Sequence, residues 1–479
     1  MLFNSLTFLI FFLVFSVLFF LTKSNIRIVV CLFGSYLFYG WWDWRFLGLI
    51  LFLTLVNFYL GLKIEASLSE TKRKRYLACS IVISVGVLAT FKYANFFIDS
   101  FQEFIAFAGV GLNTESLKII LPVGISFYTF QAMSYTIDLY RKEVRVEQSL
   151  LKFATYIAFF PQLVAGPIVR ASEFLPQLGK DQQFSHKRLL DASCIIAWGL
   201  ILKVVVADSL ALVVDIQFQQ PLGMSSLSLL IGIFFYAFQI YGDFSGYSLM
   251  AIGFAHFLGF EFKRNFDRPY FADSFSNFWE RWHISLSSWL RDYIYIPLGG
   301  NRKGARRTYL NLMFTMLLGG LWHGAAWSFV LWGALHAAYL CVQRITGWQR
   351  HNKVSSENWV FFRFLNLKYL LKVAFVFMMV CVAWVFFRAH SFSDALTIIN
   401  RILLFDNFSF ESVTQKFHVF KGLGLILTLY LIEWTSFRVN FWSLASKRPI
   451  LIPFFLVASL LVISVLGTFG SNAFIYFQF

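Results

Sequence analysis

The sequence predicts an all-α polytopic membrane protein, and three observations carry that prediction. Of 479 residues, 58% are hydrophobic, 20% aromatic and only 14% charged, whereas soluble domains hold about a quarter charged residues and about half apolar ones. The apolar residues gather into runs of the roughly 20 residues that a bilayer-spanning helix needs. Basic loops separate the runs: Lys plus Arg number 41 against 25 for Asp plus Glu, a formal charge of +16. The first observation excludes a soluble enzyme, a disordered chain and a disulfide scaffold. In a soluble chain the charge would suggest nucleic acid; beside this hydropathy it fits cytoplasmic loops facing anionic headgroups.

Taken in order, the candidate spans are 3–22, 28–42, 46–62, 76–91, 118–140, 190–216, 225–260, 308–343, 369–387, 420–434 and 450–469. Residues 94–110 carry Asp99 and Glu103 and suit a tilted or interfacial helix. Residues 151–169 hold Pro161, Gly166 and Pro167, the composition of a broken or re-entrant element, which survives at membrane depth only when surrounded by protein. In all, about 11–13 membrane-embedded helices are expected. Threaded alternately, the loops 23–27, 63–75, 141–152, 170–188, 261–307, 344–368 and 436–449 fall on one side and hold most of the Lys and Arg. The positive-inside rule assigns that side to the cytoplasm and both chain ends to the opposite one. The first run lacks a basic flank before it and a small-residue cleavage site, so it reads as an uncleaved span. The expected organisation is one integral membrane domain over 1–479, with peripheral spans in 1–110, a core in 111–345 and further spans in 346–479. The five cysteines, Cys31, Cys79, Cys194, Cys341 and Cys381, are isolated, without metal spacing, and read as small core residues.

The chemistry gathers in 261–345. Phe275, Phe278, Trp279, Trp282, Leu286, Trp289 and Leu290 recur at one-stripe helical spacing, opposite Asn277, Glu280, Arg281, Ser285, Ser288 and Arg291. The pattern predicts an interfacial amphipathic helix over 274–291, capped by Asp273 or Ser274, with its aromatic stripe facing inward. His283 lies near that inward face and reads either as a surface histidine or as part of a site. Asp292 pairs most simply with its neighbour Arg291. The turn Gly299-Gly300-Asn301-Arg302-Lys303-Gly304 could cradle phosphate or simply anchor the next span.

The next apolar stretch contains Gly319-Gly320-Leu321-Trp322-His323-Gly324-Ala325-Ala326-Trp327. A histidine at hydrocarbon depth is expensive and usually functional. As a neutral imidazole, His323 can accept a proton near neutral pH; the alternative is a structural histidine bonded to a neighbouring helix. The small residues around it leave room for a substrate, and Trp322 and Trp327 could wall off water. His336 reads as structural, as a residue orienting His323, or as a pore-lining residue. Asp243, among Gln239, Tyr241, Ser245, Tyr247 and Ser248, reads as a hydrogen-bonding hub or a pathway lining. No lipase-type serine elbow, Walker loop, zincin or EF-hand pattern is present.

At these residues the sequence resembles the membrane-bound O-acyltransferase family, and within it the bacterial branch of alginate, peptidoglycan and cellulose acetylation. The resemblance rests on Pro161-Gln162-Leu163-Val164-Ala165-Gly166-Pro167-Ile168, on Tyr241-Gly242-Asp243-Phe244-Ser245-Gly246-Tyr247-Ser248, on Asn277 through Arg302, and on Leu321-Trp322-His323-Gly324. It covers roughly residues 30–390. The chain departs from many relatives at Leu249, where a carboxylate is common, which puts in doubt a second acidic group beside Asp243. The resemblance implies a helical funnel around a buried pore, with His323 and His283 matching the two family histidines. It also implies an acetyl group taken from a cytoplasmic thioester, acetyl-CoA, with no bound cofactor or metal. The acceptor would be an envelope or exopolysaccharide, reached directly or through a periplasmic partner acetyltransferase, from the bacterial cytoplasmic membrane. Trp322, His336, Asp243, Asp292 and Arg302 are expected to bind substrate or line the pore. Two other readings stay open from the residues alone: a transporter or export component without acyl chemistry, against which the lack of an internal repeat argues, and a structural scaffold.

Overall fold

A computed structural model of the chain describes residues 1–107, 109, 119–164, 166–348, 366–411, 413–437, 450–470 and 474–475. Most of the basic loops expected at 344–368 and 436–449 therefore lie outside the described residues. The described residues form helices and no strand. Six helical stretches among them are long and apolar enough to cross a membrane: Ser24–Ala66, Glu70–Phe107, His186–Gln219, Ser226–Phe257, Leu367–Arg388 and Lys416–Ser436. The protein is an all-α, multi-pass membrane protein. Its chain divides into two compact units, Met1–Ala192 with Ala251–Lys263, and Ser193–Met250 with Arg264–Phe479.

In the first unit the helices run α1 (Leu6–Leu21), α2 (Ser24–Asp43), α3 (Leu47–Ala66), α4 (Glu70–Leu88), α5 (Ala94–Phe107), α6 (Ile125–Tyr140), α7 (Leu150–Ala158), α8 (Phe160–Leu163) and α9 (Ala171–Leu178), leading into α10 (His186–Leu200). Phenylalanine supplies much of the packing. Phe8, Phe38, Phe160 and Phe254 form one cluster, with Phe8 4.8 Å from Phe254 and Phe38 5.5 Å from Phe160 between ring centroids. The segment at 151–169 is broken as its prolines predict, into α7 and the single turn α8. Its loose backbone is taken up by protein: the Phe160 N–H donates to Ser35 Oγ at 3.1 Å. Gly124, at φ 74°, lies so close to the Leu163 carbonyl that a Cβ would strike it. α6 is buried on nearly every face, and one of its hydroxyls, Thr136, joins a polar knot with α3 and α4. Ser80 donates to Asn57 Oδ1 at 2.6 Å and lies 2.8 Å from Thr136 Oγ1, while Asn57 Nδ2 donates to Ser84 at 3.3 Å.

In the second unit, a π-helical turn at Ile201–Ala207 leads to α11 (Asp208–Gln219) and α12 (Ser226–Phe257). There follow α13 (Phe275–Arg281), α14 (Ile284–Leu290), α15 (Gly304–His323), α16 (Trp327–Ile345), α17 (Leu367–Arg388), α18 (Phe392–Leu403), α19 (Lys416–Ser436) and α20 (Leu451–Leu466). Two features differ from the sequence reading. The stretch 308–343 is an antiparallel hairpin broken at Gly324, where the backbone turns extended. Gly320 of α15 faces the backbone of Phe329 and Gly333, and Gly333 faces that of Met316 and Leu317. A side chain at either glycine would hold the two helices apart, so glycine sets how closely the hairpin closes.

The second difference is that the helix expected over 274–291 is two short helices. Ser274 caps the first, accepting from the Asn277 N–H at 3.3 Å. His283, at φ 43° and ψ 55°, then ends it in the left-handed region, which a non-glycine residue adopts only when its surroundings favour it. The loop before α13 supplies that support. Asp267 N–H donates to the Arg281 carbonyl at 2.9 Å and Ile284 N–H to the Asn265 carbonyl at 2.8 Å. Asn265 Oδ1 accepts from both the N–H and the hydroxyl of Ser285. The backbone groups released by the break are thus satisfied on each side of it.

Candidate active site

Breaking the helix at His283 directs its ring into the second unit, where it is fully buried. Breaking the hairpin at Gly324 leaves His323 as the last residue of α15, 2% exposed. The two imidazoles lie 6.4 Å apart between ring centroids. Trp322 joins them, 5.5 Å from His283 and 4.9 Å from His323. Trp332 of α16 lies 4.9 Å from His323 on one side and 4.7 Å from His336 on the other. Phe387 of α17, 5.2 Å from His323, and Trp279, 5.0 Å from His336, complete an aromatic wall. Three histidines, from the α13–α14 break, the end of α15 and the middle of α16, therefore meet in one closely packed aromatic cluster.

Several polar atoms of this cluster are buried without a bonding partner among the described residues. Neither ring nitrogen of His283 or of His336 reaches a hydrogen-bond partner in any other described residue, and the same holds for the indole N–H groups of Trp279, Trp282 and Trp332. Buried polar groups in folded proteins are overwhelmingly bonded, and leaving one unmet costs about 1–3 kcal/mol. Water or a ligand's polar atoms would offset that cost. Chemically, the cluster offers imidazoles, a residue type able to accept and return a proton, among apolar walls that strengthen every polar interaction made inside. No group of three or more His, Cys, Asp or Glu able to hold a metal occurs among the described residues.

The other residues singled out in the sequence lie elsewhere. Asp243, on α12, is buried and bridged to Lys203 at 2.6 Å, and its other oxygen accepts from the Ile475 N–H at 2.7 Å. Its neighbour Phe244 meets the His283 ring edge-on at 4.6 Å. Asp292 pairs with Arg291 at 2.7 Å. Arg302 is exposed on the glycine turn, where the Gly300 carbonyl accepts from Asn311 at 2.9 Å. Trp327, expected to shield the site, opens α16 after the break and is 59% exposed; Trp332, one and a half turns on, takes that position. The glycines expected to leave space for substrate are instead filled from α16, since a Cβ on Gly320 would strike the Phe329 carbonyl and one on Gly324 the Phe329 ring.

Three of the missed residues had a signal in the sequence. Lys203 and Glu433 are ionisable residues inside apolar stretches, the feature that singled out Asp243. Glu433 is hydrogen-bonded by the Tyr241 hydroxyl. Trp332 stands four residues before His336, hence on the same helix face. Nothing in the sequence marks Phe387 among so many phenylalanines.

Comparison with known proteins places the chain in a family. The membrane-bound O-acyltransferase family model matches residues 36–392, a range that contains all three histidines. The chain belongs to the membrane-bound O-acyltransferase family. A Pseudomonas putida protein described as "Probable alginate O-acetylase AlgI" is 36% identical over the full length of both chains. A Pseudomonas aeruginosa protein of the same description is 38% identical over 90% of this chain and 80% of its own. The "Peptidoglycan O-acetyltransferase" of Helicobacter pylori is 33% identical over 76% of this chain and 72% of its own. The chain is thus a membrane O-acyltransferase, which sets aside the transporter and scaffold readings. Within the family's matched region, the His283–His323 cluster is the candidate active site.

Proposed function

We propose that this membrane-bound O-acyltransferase moves an acetyl group from a cytoplasmic thioester, acetyl-CoA, to hydroxyls of an envelope or exopolysaccharide, directly or through a hydroxyl on a periplasmic partner protein. The observation that carries the reading is the cluster itself: a buried His323 beside a buried His283 whose ring nitrogens meet no protein group among the described residues. The relatives named for alginate and peptidoglycan acetylation support the acetyl group and the polysaccharide acceptor. The concentration of Lys and Arg in the loops expected inside supports a cytoplasmic donor and a bacterial cytoplasmic membrane location.

In this mechanism His323 takes the proton from the acceptor hydroxyl as its oxygen attacks the thioester carbonyl carbon. A new C–O bond forms, the C–S bond breaks, and the departing thiolate receives the proton from the His323 imidazolium. His283 donates a hydrogen bond to the donor's carbonyl oxygen, orienting it and stabilising the oxyanion. A positioned base supplies about 10²–10⁴-fold, so His323→Ala is expected to lose that factor in turnover. The test is transfer of labelled acetyl from acetyl-CoA by purified protein with its partner, at matched membrane abundance. Turnover within a few-fold of the parent removes His323 from this role.

A further inference from the structure

Asp243 lies at the centre of an arrangement that the acyl-transfer chemistry does not itself require. Lys203, in the π-helical turn, extends its ammonium between two buried carboxylates, 2.8 Å from Asp208 Oδ1 and 2.6 Å from Asp243 Oδ1. One cation facing two anions leaves a buried acceptor in need of another donor. The segment following α20 supplies it: the Ile475 N–H donates to Asp243 Oδ2 at 2.7 Å. The same segment is tied at a second point. Thr468 N–H donates to the Val204 carbonyl inside the π turn at 3.0 Å, and its hydroxyl lies 2.9 Å from that of Ser209. Between these ties and the histidine cluster stands Phe474, fully buried, 4.4 Å from the Tyr247 ring and 5.8 Å from that of Phe244. Phe244 in turn lies edge-on against His283 at 4.6 Å.

We infer that Asp243, charged and held by Lys203, is a positioning residue that moors the segment following α20, and that the moored Phe474 holds Phe244 against His283. The ion pair contributes no proton to the reaction. It provides a negatively charged oxygen at the one place where a backbone N–H must be caught, and a charge-assisted bond holds that N–H more strongly than a neutral acceptor would. The Phe474–Phe244–His283 stack then passes the position of the segment to a ring whose nitrogens no described residue fixes. Released from Asp243, the segment frees Phe474, and the His283 ring loses the wall that sets its angle toward the donor carbonyl.

The turnover arm of the test rests on the acyl-transfer reading above; the labelling arm does not. In full-length protein carrying Cys79→Ser, which removes the exposed native thiol, Ile475→Cys places a thiol at the buried mooring point and leaves its backbone N–H in place. Maleimide labelling of the introduced thiol is expected to be slow, and at least tenfold faster once Asp243→Ala or Lys203→Met is added. Asp243→Asn keeps an acceptor for the N–H and is expected to stay closer to the parent. Phe474→Ala leaves both ion pairs intact, so it reads the stack in a chain whose buried charges are undisturbed. In that variant and in Asp243→Ala, kcat per folded enzyme is expected to fall tenfold or more with the KM for acetyl-CoA changed less than threefold. Equal labelling rates with and without Asp243 overturn the mooring. Faster labelling with unchanged kcat overturns the positioning role. A parent protein that transfers no acetyl sinks the function proposed above, and labelling then decides the mooring alone.

Discussion

The Asn57 knot of the first unit and the histidine cluster of the second both bury polar side chains among apolar helices, and they settle their hydrogen bonds in opposite ways. Around Asn57 the partners are all present: Ser80, Ser84 and Thr136 meet the amide and one another within 2.6–3.3 Å. In the histidine cluster His283, His336, Trp279, Trp282 and Trp332 turn their polar atoms toward no other described residue. A satisfied network fixes how helices pack and is complete in itself. A network whose members lack partners carries a cost in the folded protein, one that the polar atoms of a bound substrate would offset under the function proposed above.

The difference is sharpest in substitutions that should separate activity from stability. His283→Asn keeps a residue type that tolerates the left-handed turn and removes the imidazole; turnover is expected to fall about 100-fold or more while the thermal midpoint in detergent stays near the parent's. His336→Phe replaces an unpartnered ring by an apolar one of similar shape, so the midpoint is expected to hold or rise. A midpoint lowered by several degrees in either variant would mean that the cluster is structural after all. Gly333→Ala tests the hairpin that carries His323: its new methyl meets the Met316 carbonyl. Overpacking of this kind costs about 1–3 kcal/mol, and here turnover is expected to drop together with the midpoint. Asn57→Ala is the mirror image of the histidine variants. It takes away the Ser84 donor and one of the two partners of Ser80, costs about 1–3 kcal/mol, and is expected to leave turnover per folded molecule unchanged.

Those contrasts also mark what could be read from the sequence. The aromatic stripe from Phe275 to Leu290 was legible, because Phe275, Phe278, Trp282, Leu286, Trp289 and Leu290 are all buried, and Ser274 caps as its type predicts. The break at His283 was not, because apolar spacing persists across it and a left-handed non-glycine residue costs too little to leave a compositional trace. His323 stood out as an imidazole in an apolar run. Its association with His336 did not: along a continuous helix thirteen residues span about 20 Å, and only the turn at Gly324 brings both rings against Trp332. Asp243 was legible as a buried carboxylate, while its partners Lys203 and Ile475 lie 40 and 232 residues away in a sequence that gives no sign of pairing them.

The smallest effect concerns the loop that supports the His283 break. Asp267 is partly buried, which by itself would raise its pKa, but the guanidinium groups of Arg268, Arg281 and Arg264 outweigh burial and hold the carboxyl below its ordinary value. Arg268 approaches it to 2.9 Å, Arg264 to 3.3 Å and Arg281 to 3.8 Å. A carboxylate whose pKa is lower in the folded than in the unfolded chain stabilises the fold at pH values above the unfolded value of about 3.9, and that contribution disappears as pH falls through the lower, folded value. Asp267→Asn should therefore lower the thermal midpoint modestly at pH 7, and the gap to the parent should close as the pH is taken below about 4. Because the backbone bond from Asp267 N–H to the Arg281 carbonyl survives in the variant, turnover at pH 7 should fall less than in any substitution in the histidine cluster. A loss as large as that of His283→Asn would show that the charge cluster, and not the backbone bonds around it, holds the break in place.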